Sequence, residues 1–95
     1  MNNEYALQPC FDYLGIMLAE HLAIAEEQGY PYLLFCWNIL NNNGVFEPVY
    51  ERAYIKDLND VFRMVKMGAI DFNCTFLIDT ETGEHVDTSI FRKGE

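Results

Sequence analysis

The chain has 95 residues, a net charge of −9 and an apolar fraction of 51%. That length fits one domain, and 14 aromatic residues exclude a disordered chain despite the charge. The charge is one-sided: the first 51 residues hold seven acids and no base, a field that repels nucleic acid and acidic membranes and attracts basic surfaces.

Gln8-Pro9 suits the start of a helix, with Pro at the first helical position. Phe11, Leu14, Leu18, Leu22 and Ala25 then recur at spacings of three and four, with Met17 and His21 beside them, which predicts a helix over about residues 9–28. Asp12, Glu20 and Glu27 fall on the opposite side, with Glu26 close by. Gly29 is placed to cap the end in a left-handed conformation.

Tyr30–Leu40 is nearly all apolar and reads as a strand covered on both faces. Asn43-Gly44 is a hairpin signal, because both residues tolerate positive φ. Val45–Ile55 is the expected return strand. Pro48 cannot donate to a ladder, so this strand should lie at an edge or carry a bulge.

Asp57 is a candidate cap for a second helix, along which Leu58, Val61, Phe62 and Val65 form an amphipathic stripe. Arg63 and Lys66 near its C-terminus are favourably placed, and Gly68 can end it. Phe72, Cys74, Phe76 and Ile78 alternate on one face of a third strand. Asp79–Gly83 reads as a type I turn closed by glycine. Val86, Thr88 and Ile90 then line a fourth strand ending near Phe91. The expected fold class is α+β in the order α-β-β-α-β-β: a single domain with a mostly antiparallel four-stranded sheet and both helices packed on one face. The stretch Leu33–Leu40 is too apolar for one wet face, so a helix, a loop or a second copy of the chain should cover the other side.

Candidate chemistry is sparse. Ser89 is the only serine and lies in no nucleophile-elbow context. Cys10 and His21 are about 16 Å apart along one predicted helix, too far to form a catalytic pair. Cys36 and Cys74 read as small buried core residues. Three cysteines suit a reducing compartment rather than a disulfide framework. With no basic N-terminal region and no apolar run of 18 residues, the expected location is cytoplasmic, without a membrane span. The sequon at Asn73-Cys74-Thr75 reads as chance in that setting. There is no Cys-x-x-Cys, His-x-x-x-His or phosphate-binding glycine loop, so no metal and no cofactor is expected. Glu81 and Glu84 with His85 read as a polar turn. His21 reads as a partly buried, hydrogen-bonded core histidine.

The basic cluster Arg52, Lys56, Arg63 and Lys66 includes Asp57 and Asp60. Its small net charge argues against direct nucleic-acid binding; Arg52 and Lys56 are expected to pair with acids of the first helix or of a second copy. The acids carry two readings. The bland one is solubility for a greasy domain. The sharper one is a non-enzymatic inhibitor whose acidic surface engages a basic partner protein, such as a nuclease or another nucleic-acid-binding complex. Carboxylates at about 6–12 Å intervals along a helix can compete for a phosphate channel. In size and charge such a chain is similar to the acidic inhibitors that phages and mobile elements direct against restriction and CRISPR systems. The partner-binding candidates are Asp12, Glu20, Glu26 and Glu27, then Glu81 and Glu84. Six tyrosines also suit a homodimeric or adaptor module held by apolar and aromatic contacts.

Overall fold

A computed structural model describes residues 3–70 and 74–92, with side chains described for residues 7–70 and 74–91. The elements are α1 (Asn3–Glu27), β1 (Tyr32–Asn42), β2 (Val45–Ile55), α2 (Leu58–Lys66), β3 (Thr75–Asp79) and the single turn α3 (Ser89–Arg92). The three strands form one antiparallel sheet in the order β2-β1-β3. The fold is α+β, but the expected fourth strand and the order α-β-β-α-β-β are not found.

The correction at the C-terminal end has a local cause. Asp79 Oδ1 accepts from the N–H groups of Glu81 and Thr82, and Gly83 takes φ 76°. The turn therefore forms as its residues require. The return is a single bridge between His85 and Ile78, flanked by bonds from Val86 N–H to the Leu77 carbonyl and from Asp79 N–H to the Glu84 carbonyl. Asp87 Oδ1 then accepts from Ser89 N–H and starts α3. That turn swings Phe91, 2% exposed, into the core against Phe62 at 4.5 Å between ring centroids. An extended strand would direct alternate residues to opposite faces, whereas the turn spends Phe91 on burial. Phe72, part of the expected third strand, lies outside the described residues.

The helices do not share a face of the sheet. Cross-strand partners point the same way, so the register Leu34↔Ala53, Leu34↔Leu77 and Tyr32↔Ile55 defines one face. It packs with Val61 of α2 and Phe91 of α3, and Met64, Val65 and Val86 lie against this core. Phe35, Trp37, Tyr50 and Tyr54 belong to the other face, under α1: Phe11 meets Trp37 edge-on, and His21 sits between the two tyrosines. A three-layer arrangement results. It supplies the double cover that the apolar β1 demands, with a helix rather than a second copy of the chain.

α1 is about 37 Å long at 1.5 Å per residue. Among its described side chains Cys10, Leu14, His21 and Ala25 are buried, spaced four, seven and four residues apart, and a buried leucine contributes about 1.5–3 kcal/mol. Pro9 lies inside the helix, not at its first position. Its missing N–H and its ring together disfavour an interior site by about 3 kcal/mol relative to alanine. Pro9→Ala is therefore expected to stabilise the domain by up to about that amount, measured as a higher urea midpoint. A lower midpoint would mean that the helix starts at Pro9.

β2 is an unbulged edge strand, paired with β1 along its whole length. The Trp37 N–H donates toward the β3 side, to the Cys74 carbonyl. Odd-numbered residues of β1 therefore bond on that side, and Ile39↔Pro48 is a non-hydrogen-bonded pair of the β1–β2 ladder. The nitrogen of Pro48 consequently faces open solvent, where no donor is needed. Asn38–Asn42 of β1 extend past the register with β3, which ends opposite Cys36. There the Asn38 side chain accepts from the Ile39 N–H at 2.8 Å.

α2 begins as its sequence predicts. Asp57 is extended (φ −133°, ψ 128°) and accepts from Asn59 N–H. Asp57→Ala should lower stability by about 1 kcal/mol. A urea midpoint that does not move would show the cap to be idle. Among the described residues, no helix is long and apolar enough to cross a membrane.

Candidate acidic interface on the first helix

With 3.6 residues per turn, Asp12 lies about half a turn around α1 from the buried His21. Glu26 falls within about 40° of Asp12, while Glu20 and Glu27 lie about 60–80° from it on the other flank. All four are exposed. Gly15, Ile16, Ala19 and Ala23 lie between them and are exposed as well, Ile16 at 64%. The outer face of α1 thus alternates carboxylates with small or apolar groups over about 22 Å from Asp12 to Glu27.

None of the four makes an ion pair with a described residue. Asp12 accepts from the Gln8 amide at 2.9 Å. The described ion pair lies in the opposite layer, between Arg63 and Asp60 of α2; both side chains are substantially exposed, so it contributes little. Of the two pairings expected for Arg52 and Lys56, the one with acids of α1 is not found among the described residues. Lys56 instead stands over the Tyr30 ring, 5.3 Å from its centroid. Acid therefore collects in the α1 layer, while α2 carries two bases against its own acids.

Glu26 and Glu27 occupy the last turn of α1, which holds no base. The helix dipole places its negative end there, so each acid costs about 0.3–1 kcal/mol relative to a favourable charge.

The second acidic group lies at the same end of the molecule. Thr80 N–H donates to the Pro31 carbonyl, and the Thr80 hydroxyl donates to the Tyr30 carbonyl. These bonds fasten the Asp79–Gly83 turn to the segment that follows α1. Glu81 and Glu84 are exposed beside it. The fold therefore brings the Glu26/Glu27 end of α1 and the Glu81/Glu84 turn to one end of the sheet, while Asp12 lies toward the hairpin tip, where Cys10 meets the Phe46 carbonyl.

His21 is 9% exposed, with Nδ1 at 2.8 Å from the Tyr54 hydroxyl and Nε2 at 3.3 Å from that of Tyr50. The Tyr50 hydroxyl donates to the Met17 sulfur at 3.4 Å. This network ties α1 to the edge strand and holds the acidic face at a fixed angle to the sheet. The tyrosine partners on β2 could not be identified from sequence alone, because they depend on which sheet face α1 covers.

Among the described residues, no three His, Cys, Asp or Glu side chains gather as a metal site. His85 packs edge-on against Phe76 at 5.2 Å. Compared with protein-family models, curated proteins and solved structures, the chain matches none.

Proposed function

We propose that the protein is a non-enzymatic binding protein that uses the outer face of α1 to engage a basic partner protein, as an inhibitor of a nuclease or another nucleic-acid-binding complex. The observation that carries the reading is the exposed row Asp12, Glu20, Glu26 and Glu27, which has no cationic partner among the described residues. Glu81 and Glu84 extend the row at the C-terminal end of α1. The expected compartment is the cytoplasm. The carboxylates set on-rate and selectivity, and the small residues between them let a partner approach the helix closely. Pull-down from lysate at low and at high salt tests the reading. Capture should be strong at about 0.05 M salt and lost near 1 M, where the screening length falls to about 3 Å. A complex indifferent to salt would reject it.

One observation favours a second reading, a self-associating or adaptor module. Beyond the end of β3 the hairpin exposes Val45 at 68% and Leu40 at 41%. An interface built on those residues would hardly respond to salt and would be detected by light scattering of the purified protein as a dimer.

A further inference from the structure

We propose that Cys36 and Cys74 form an oxidative modification site, a vicinal thiol pair that closes to an intramolecular disulfide. The two sulfurs lie 3.9 Å apart, and both residues are half-buried. All three cysteines are thiols in this structure. Cys36 is the register partner of Thr75, and the Trp37 N–H donates to the Cys74 carbonyl. Cys74 is therefore a diagonal neighbour of Cys36 across the β1–β3 ladder. A cross-strand spacing of about 5 Å and a rise of about 3.3 Å place the two Cα atoms roughly 6 Å apart. Disulfides span about 4.4–6.8 Å between Cα atoms, so rotation of one thiol is enough to bring sulfur to sulfur.

A regular ladder would send these diagonal side chains to opposite faces. Their contact means that Cys74, at the foot of β3, has left the strand geometry and turned its sulfur toward β1. Cys10, by contrast, is buried at 5% exposure, and its thiol donates to the Phe46 carbonyl at 3.8 Å. It lies under α1, toward the hairpin tip, and serves as the internal comparison.

The oxidant is a low-molecular-weight disulfide. One protein thiolate attacks a sulfur of that disulfide, forming a mixed disulfide and releasing one small thiolate. The second protein thiolate then attacks the protein-bound sulfur and expels the other small thiolate. The two protein thiols lose two electrons, the small disulfide gains them, and the two protons end on the released thiols. The new bond would join the connection after α2 to β1. It would stiffen the groove of about 170 Å³ that Leu34, Cys36, Met64, Ile70 and Thr75 help to line.

Oxidised glutathione is the probe. Titration of the folded protein, followed by thiol counting and mass analysis of an unreduced digest, should show three thiols falling to one, with the Cys36 and Cys74 peptides linked and Cys10 unmodified. Trp37, next to Cys36 in the chain and bonded through its N–H to the Cys74 carbonyl, should lose emission on oxidation and regain it with dithiothreitol. In Cys36→Ser the reaction should stop at a glutathione adduct on Cys74, while Cys10→Ser should still form the link. Separate adducts on Cys36 and Cys74, links through Cys10, or chain-to-chain disulfides would each overturn the assignment.

Discussion

Truncating Phe35 to alanine is expected to remove a large share of the domain's stability at 25 °C, about 3–5 kcal/mol. The ring is 2% exposed and stacks on Tyr50 with centroids 5.3 Å apart and planes 11° apart. Tyr50 in turn meets His21 and Met17 of α1. Removing the ring forfeits its burial and opens a cavity where β1, β2 and α1 meet, at a cost of about 3–5 kcal/mol for a buried phenylalanine. Domains of this size are stable by only about 5–15 kcal/mol. Phe62→Ala provides the comparison: that ring is 40% exposed and should lose substantially less. Urea unfolding of the three proteins decides. A loss below about 1 kcal/mol at Phe35 would mean that α1 does not bury this face.

The second large effect is on binding. Changing Glu20, Glu26 and Glu27 together to lysine shifts the net charge from −9 to −3, two units per substitution. Electrostatic steering speeds association by about 10- to 10³-fold, and reversing the steering charges removes most of that gain. The on-rate should fall by that order, and the salt dependence should flatten. Stability should move in the opposite direction. Lysines at positions 26 and 27 suit the negative end of the α1 dipole and should add about 0.3–1 kcal/mol each. A variant that is more stable yet binds less tightly separates a docking role from a folding role. Unchanged affinity would remove the α1 face from the interaction.

Much of the local structure was legible. The expected stripe Phe11, Leu14, Leu18, Leu22 and Ala25, with Met17 and His21 beside it, marks the covered side of α1 except at Phe11, which is 44% exposed. Asn43 and Gly44 both adopt positive φ, 54° and 86°, as the tight turn between β1 and β2 requires. Asp57 caps α2, and His21 is buried and hydrogen-bonded. Asp12, Glu20, Glu26 and Glu27 face outward as the periodicity implies.

What was not legible is longer in range. Apolar alternation at Val86, Thr88 and Ile90 carries a strand signal, but the outcome depends on whether Phe91 finds a hole beside Phe62, and no local pattern encodes that. The assignment of α1 and α2 to opposite faces likewise depends on the path of the chain around the sheet. The excess of apolar residues in β1 stated that two covers were needed without saying which element would supply each. Pro9 misled because its preference for a first turn is local, whereas the helix is anchored by the length of sheet beneath it. The candidate acids were legible as exposed. That the Glu81/Glu84 turn joins the Glu26/Glu27 end depends on Thr80 reaching the Tyr30 and Pro31 carbonyls, a contact between residues 50 apart.

Pro48 on the outer strand has a consequence for how the protein ages at high concentration. A row of unfilled amides along an edge recruits further chains and grows into fibres. Here the row is interrupted near its middle by a ring that has no hydrogen to offer, and Glu47 and Glu51 flank the gap. Exchanging that proline for valine would restore the missing donor and lengthen the β-prone stretch. On prolonged shaking the altered chain should develop thioflavin-positive fibrils sooner than the original, although its fold would be unchanged.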